Sequence, residues 1–279
     1  MQQNWQLSLN NCFTGSFELL SLLEEPPHLQ ECGEFEPPQD LHANIRSLRD
    51  ILSQPNRFNE LQALVVGEPN INAEPVQIRY QLLDYATARV MRECDQAEQI
   101  VSTSVLPVCP AKNQIVLHKR SLSTELLPGK LHTFSGAWQP PNSRSNETRE
   151  TEILQSALRE LYEETGVKMA ATRGTGSALF RDLKWGATEY CLLGIEVSEM
   201  QCGAMSDTEE GEIVFVHFDD LYQSLEDTKG LWTDGGRAEV LTWLALNAPP
   251  IGSSATFCGK TAKATFQTLM GRIRNKINV

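Results

Sequence analysis

Apolar and polar positions along this chain follow two periods, and the switches between them predict its strands and helices. Residues 104–109 and 114–120 are short apolar runs separated by Pro110, Ala111, Lys112 and Asn113, which reads as two strands joined by a turn. Residues 130–134 lead into Gly136 as a third strand. From 151 to 165 the period changes: Ile153, Leu154, Ala157, Leu158 and Leu161 recur at helical spacing. Glu150 and Glu152 suit the positive end of that helix, and Gly166 suits a left-handed stop. Residues 188–197 and 212–218 read as strands again. Asp219 or Asp220 caps a short helix through Leu225, and residues 236–246 carry Val240, Leu241, Trp243 and Leu244 on a last helix.

The flanks are patterned differently. Phe17 to Leu23 is apolar enough for a helix or a strand, and Pro26-Pro27 ends it. After a second break at Pro37-Pro38, helical spacing resumes at Leu41, Ile45, Leu48, Ile51 and Leu52, and a longer helix is expected over 75–98 with Pro75 in its first turn. Three parts follow: residues 1–98 as a mainly helical accessory region, 99–248 as an α/β domain, and 249–279 as a linker with a basic amphipathic helix. In that tail Lys260, Lys263, Arg272, Arg274 and Lys276 accompany an apolar stripe of Phe266, Leu269, Met270, Ile273 and Ile277. Such a helix docks on the acidic body of its own chain, or meets a membrane, RNA or an acidic protein.

Composition narrows the classes. Among 279 residues, 24 Lys and Arg face 36 Asp and Glu, for a net charge of −12. That argues against a DNA-binding surface and disfavours RNA, because phosphate contacts need basic patches. The seven cysteines are scattered without a C-x-x-C pair, so neither a zinc site nor a disulfide framework is indicated. With no apolar run of membrane length and no signal-like start, a cytoplasmic protein is expected.

The chemistry concentrates in Arg159-Glu160-Leu161-Tyr162-Glu163-Glu164-Thr165-Gly166-Val167. On a helix Glu160, Glu163 and Glu164 share one face at i, i+3 and i+4. Carboxylates packed that closely repel one another unless a hard divalent cation such as Mg²⁺ neutralises them. The segment resembles the second half of the Nudix box, R-E-U-x-E-E-x-G-U, the signature of the Nudix hydrolase superfamily. Upstream the match loosens. Gly136 stands where a glycine pair begins and Ala137 where its second glycine belongs. Thr151 occupies the position of the upstream acid, between Glu150 and Glu152, and residues 139–146 read as an inserted loop.

The resemblance implies an α/β/α sandwich around a mixed sheet over 99–248. It also implies Mg²⁺- or Mn²⁺-dependent hydrolysis of a pyrophosphate bond in a nucleoside diphosphate derivative or related organic pyrophosphate. Glu160, Glu163 and Glu164 would be the metal ligands and Arg159 their orienting partner. The general base is a box glutamate or an acid among Asp207, Glu209, Glu210 and Glu212; Glu210 is carried forward as the loop candidate. Arg120 and Lys130 are candidates for substrate phosphates, and Gly136 and Trp138 for the substrate pocket. A small nucleotide-derived substrate is the expected partner, and a homodimer is compatible with the chain. Two alternatives stay open: a non-catalytic nucleotide-binding regulatory module, and an RNA-cap pyrophosphatase using the basic tail.

Overall fold

The structure, a computed structural model, describes residues 17–54, 59–94, 99–124, 126–140, 152–169, 176–226 and 230–247. Residues 141–146 of the expected insertion at 139–146, Glu150, Thr151 and the basic tail lie outside them. The elements run β1 (Phe17–Leu23), β2 (His28–Glu34), a 3₁₀ turn (Gln39–Leu41), α1 (His42–Leu52), β3 (Leu61–Val65), β4 (Gln77–Asp84) and α2 (Tyr85–Glu93). Next come β5 (Ile100–Cys109), a 3₁₀ turn (Pro110–Lys112), β6 (Gln114–Arg120), β7 (Leu131–His132), β8 (Phe134–Ala137) and α3 (Ile153–Thr165). The order closes with β9 (Gly176–Asp182), β10 (Ala187–Glu196), α4 (Glu199–Ala204), β11 (Gly211–His217), α5 (Phe218–Glu226) and α6 (Asp234–Asn247).

The described strands form one mixed sheet in the order β1-β9-β10-β5-β3-β4-β2, with β6 and β8 also on β5, and β7 and β11 on β6. The β5–β10 and β2–β4 pairs are parallel, and the others are antiparallel. β1 and β2 lie at opposite ends of this path, yet only the short stretch from Leu23 to His28 joins them. A flat sheet of that width would span on the order of 29 Å at ~4.8 Å per strand. The connection reaches about 17 Å at most. The sheet therefore curls until its ends approach.

Alternation along the strands sends side chains to two cores. Leu106, Val108, Ile115, Leu117, Cys191 and Leu193 face α6 with Val240, Leu241 and Trp243. Val101, Val105, Val116, Tyr190 and Leu192 face α3 with Ile153, Ala157 and Leu161. A helix on each face of a mixed sheet makes the expected α/β/α sandwich. α3 stops as its sequence dictates: Gly166 takes φ 73° and its N–H donates to Tyr162 O at 2.7 Å. No helix among the described residues is long and apolar enough to cross a membrane.

The region before residue 99 corrects the helical expectation. It contributes four strands beside two helices, and β1 and β3 join the same sheet through β9 and β5. The helix expected over 75–98 is a strand followed by a helix. Gln77-Ile78-Arg79-Tyr80 alternates polar and buried, a period of two, and Asp84 then caps α2 by accepting the Thr87 N–H at 3.0 Å. A third, smaller core of Leu41, Ile45, Leu64, Leu83, Val90 and Met91 binds α1 and α2 to β3 and β4.

Candidate active site

The acidic helix α3 lies against β8 and β5, which places its third turn over Gly136. A Cβ on Gly136 would overlap the Glu160 carboxylate, so this position accepts nothing larger than glycine while Glu160 is seated there. Glu160 is mostly buried. Burial pushes its pKa up to about 8, with Glu164 and Glu163 adding to the rise and Arg159 opposing it.

Arg159 spans the helix surface. Its Nη2 lies 2.7 Å from Glu160 Oε1 and its Nη1 donates to Glu163 Oε2 at 2.7 Å. Nη2 also donates to Ala137 O at 3.2 Å and Ser156 Oγ at 3.3 Å. The guanidinium thus ties two acids of the trio to the strand beneath. Glu163 remains outward, its side chain 53% exposed.

Glu164 points inward, its side chain 3% exposed. Its Oε1 lies 3.0 Å from His118 Nδ1, and its Oε2 accepts the Ser135 N–H at 3.1 Å. Burial raises its pKa and His118 opposes that rise. His118 is 1% exposed, stacks on Phe134 at 5.8 Å between centroids and 13° between planes, and touches Gly211, where a Cβ would overlap Nε2. Behind Ser135, its Oγ pairs with His132 Nε2 at 2.8 Å, and His132 Nδ1 pairs with Thr233 Oγ1 at 2.8 Å. Burial pushes His132 down to about 3, so its ring is neutral, with one donor and one acceptor nitrogen.

The other predicted residues fall in different places. Glu210 sits in the turn before β11; its carbonyl accepts the Ser121 N–H at 2.7 Å, and its charge acts on Glu164. Asp207 accepts the Ile213 N–H at 2.8 Å, a loop-holding role. Arg120 is half-buried and its Nε donates to Leu126 O at 3.0 Å; Lys130 follows on the same turn, near Gly230. Trp138 is 1% exposed, packed in the α3-facing core and edge-on to Tyr80 at 5.1 Å; with Tyr80, Glu152 and Ile153 it lines a cavity of about 510 Å³. Gly136 serves the Glu160 carboxylate.

Sequence reasoning missed His118, His132 and Ser135. A signal existed for His118: in β6 it shares the α3-facing side with Val116, a polar residue at a buried register position. None existed for His132, which meets His118 only through the β6–β7 register.

The donor chemistry of Glu160, Glu163 and Glu164 fits a hard divalent cation, and the cradle at Gly136 keeps room for one of the three carboxylates. In this conformation no three His, Cys, Asp or Glu side chains among the described residues converge on one metal position. Arg159 holds Glu160 and Glu163, and His118 with Ser135 holds Glu164.

No family model matches the chain, and no curated protein matches it. Solved structures similar in part include a MutT protein from Methanosarcina mazei Go1, at 17% identity, covering 65% of this chain and 97% of that one, with a TM-score of 0.34. A bifunctional NMN adenylyltransferase/ADP ribose pyrophosphatase from Francisella tularensis, complexed with AMP and a Mn ion, is 12% identical over 55% of this chain and 44% of its own, with a TM-score of 0.40. A NUDIX hydrolase from Nitrosomonas europaea is 18% identical over 44% of this chain and 75% of its own, with a TM-score of 0.32. The likeness is one of fold.

Proposed function

We propose that this chain is a metal-dependent hydrolase that cleaves the pyrophosphate bond of a nucleoside diphosphate derivative or related organic pyrophosphate. One observation carries the reading: three glutamates lie on adjacent positions of α3, and one of them is buried against a glycine in an environment that resists its ionisation. A solvated acidic helix face has no reason to bury a carboxylate so. A site that receives positive charge does, since the incoming charge restores the ionised form. Bound Mg²⁺ or Mn²⁺ would stabilise charge on the phosphate oxygens and lower the pKa of a bound water. Glu160, Glu163 and Glu164 would hold the cation. Arg159 fixes the rotamers of the first two through its hydrogen bonds. Glu210 or a box glutamate accepts the proton of the attacking water, and Arg120 and Lys130 supply positive charge for substrate phosphates.

The test is product release from ADP-ribose, NAD(H), dinucleoside polyphosphates, CoA, sugar nucleotides, nucleoside triphosphates and capped RNA, with and without Mg²⁺ or Mn²⁺. Glu163→Gln, at an outward position, is expected to keep the melting temperature and lose turnover by 100-fold or more, on the order seen when a charge-stabilising group is removed. Full activity in that variant would remove the assignment. A second reading, a nucleotide-binding module without turnover, is favoured by the pairing of Glu160 and Glu163 with Arg159. It predicts ligand-induced stabilisation with no cleavage of any compound.

A further inference from the structure

We propose that His118 is a positioning residue of this site, fixing the Glu164 carboxylate and the turn carrying Glu210 in a single register; the inference deepens the hydrolase reading and rests on it. A carboxylate bonded at one oxygen and walled in at the other cannot rotate about its last torsion. Glu164 is confined in that way: the Ser135 N–H donates to Oε2 at 3.1 Å, and the buried His118 ring, without an aligned hydrogen bond at either nitrogen, sets its Nδ1 3.0 Å from Oε1. Its orientation is therefore set by two strands of the sheet, β6 and β8, rather than by its own helix.

His118 is itself immobilised. One face of its ring stacks on Phe134, and the Nε2 edge meets the backbone of Gly211, with no space for a side chain there. Gly211 directly follows Glu210, whose carbonyl is tied to the Ser121 N–H. A shift of the His118 ring would therefore move Glu164 and the Glu210 turn together. The opposite leg of the clamp is just as closed. Ser135 is fixed through His132 to Thr233, whose Oγ1 also accepts the Gly236 N–H at 2.9 Å in the first turn of α6. The spacing of the two acids is thus set by the sheet and by both flanking helices.

The test compares His118→Phe, which keeps a stacking ring and loses the polar edge 3.0 Å from Glu164 Oε1, with His118→Asn, whose side-chain amide returns a polar group near the position of Nδ1. Full-length protein is used. Mn²⁺ affinity is measured by electron paramagnetic resonance, kcat and KM on the substrate found in the panel, and melting temperature for each variant. For His118→Phe we expect kcat to fall about 10- to 100-fold with KM nearly unchanged, and Mn²⁺ to bind about 10-fold more weakly, the scale on which outer partners of metal-ligating carboxylates act. His118→Asn recovers most of both losses even where it melts no higher than His118→Phe. Wild-type kcat and Mn²⁺ affinity in His118→Phe overturn the proposal. So do equal losses in the two variants that merely track melting temperature. If His118→Phe does not fold, His118→Leu, which removes the polar edge with a smaller side chain, takes its place and must show the same split; wild-type values there also overturn the proposal. A wild-type protein that turns over nothing in the panel sinks the hydrolase reading, and the Mn²⁺ affinities then decide the role of His118 alone.

Discussion

Glu239→Gln should make the protein more stable, by a margin that opens above about pH 4.5 and is full once pH passes about 7. Glu239 lies on α6, fully buried against the sheet. Facing it are Glu189 and Cys191 on β10, Ser104 on β5 and Thr133 between β7 and β8, with Asp182 on β9 acting on Glu189. Neither Glu239 oxygen has a well-aligned hydrogen-bond partner among the described residues. Burial pushes Glu239 from 4.5 up to about 7, and Thr133, Cys191 and Ser104 temper the rise. Burial and then Glu239 itself push Glu189 upward as well. The folded state therefore binds a proton that the unfolded chain releases near pH 4.5. Stability falls as pH rises from there, and the loss is complete once pH exceeds the folded value near 7. At 1.36 kcal/mol per unit, ionising Glu239 costs up to about 3 kcal/mol. Glutamine keeps the shape and never ionises. In urea unfolding at pH 5, 6, 7 and 8, the variant should match the wild type within about 1 kcal/mol at pH 5 and exceed it by up to about 3 kcal/mol at pH 8. A difference that stays constant across this range would refute the reasoning, as would a variant less stable than the wild type at pH 8.

Two further outcomes follow from single contacts. Gly136→Ala drives a methyl into the Glu160 carboxylate; turnover should fall about 100-fold, and stability by about 1–3 kcal/mol in urea titration, the usual cost of overpacking. Asp84→Ala removes the cap of α2, the Arg49 ion pair at 2.6 Å and the Asn59 hydrogen bond at 2.7 Å; calorimetry should show a loss of about 1–2 kcal/mol with turnover unchanged.

Local patterns carried the centre of the fold. β6 falls on residues 114–120 as expected, and α3 ends at Thr165 before the glycine that stops it. Both are single elements whose periods and caps lie within a dozen residues. β9 was not anticipated, because Ser177-Ala178-Leu179-Phe180 is buried on both faces and has no alternation to read. Before residue 99 the apolar run at Phe17–Leu23 left helix and strand both open, because its partner β9 lies far along the chain; β2, β3 and β4 pair largely with one another and were not anticipated. At the site, the shared face of Glu160, Glu163 and Glu164 was legible from helical spacing, and Arg159 entered through the resemblance to the Nudix box. His118, Ser135 and the seat at Gly136 were not, since each matters only through a strand register that brings it beneath α3.

The order of strands also sets a timetable. β1 leaves the ribosome well ahead of β9, yet Phe17 pairs with Asp182. At ordinary rates of synthesis that partner emerges about 10 to 30 s later. Until then Phe17, Leu19 and Leu23, all destined for the interior, travel as a naked strand edge. Such an edge is where a chaperone would hold the nascent chain, and where a chain made too fast or released too soon would begin to aggregate.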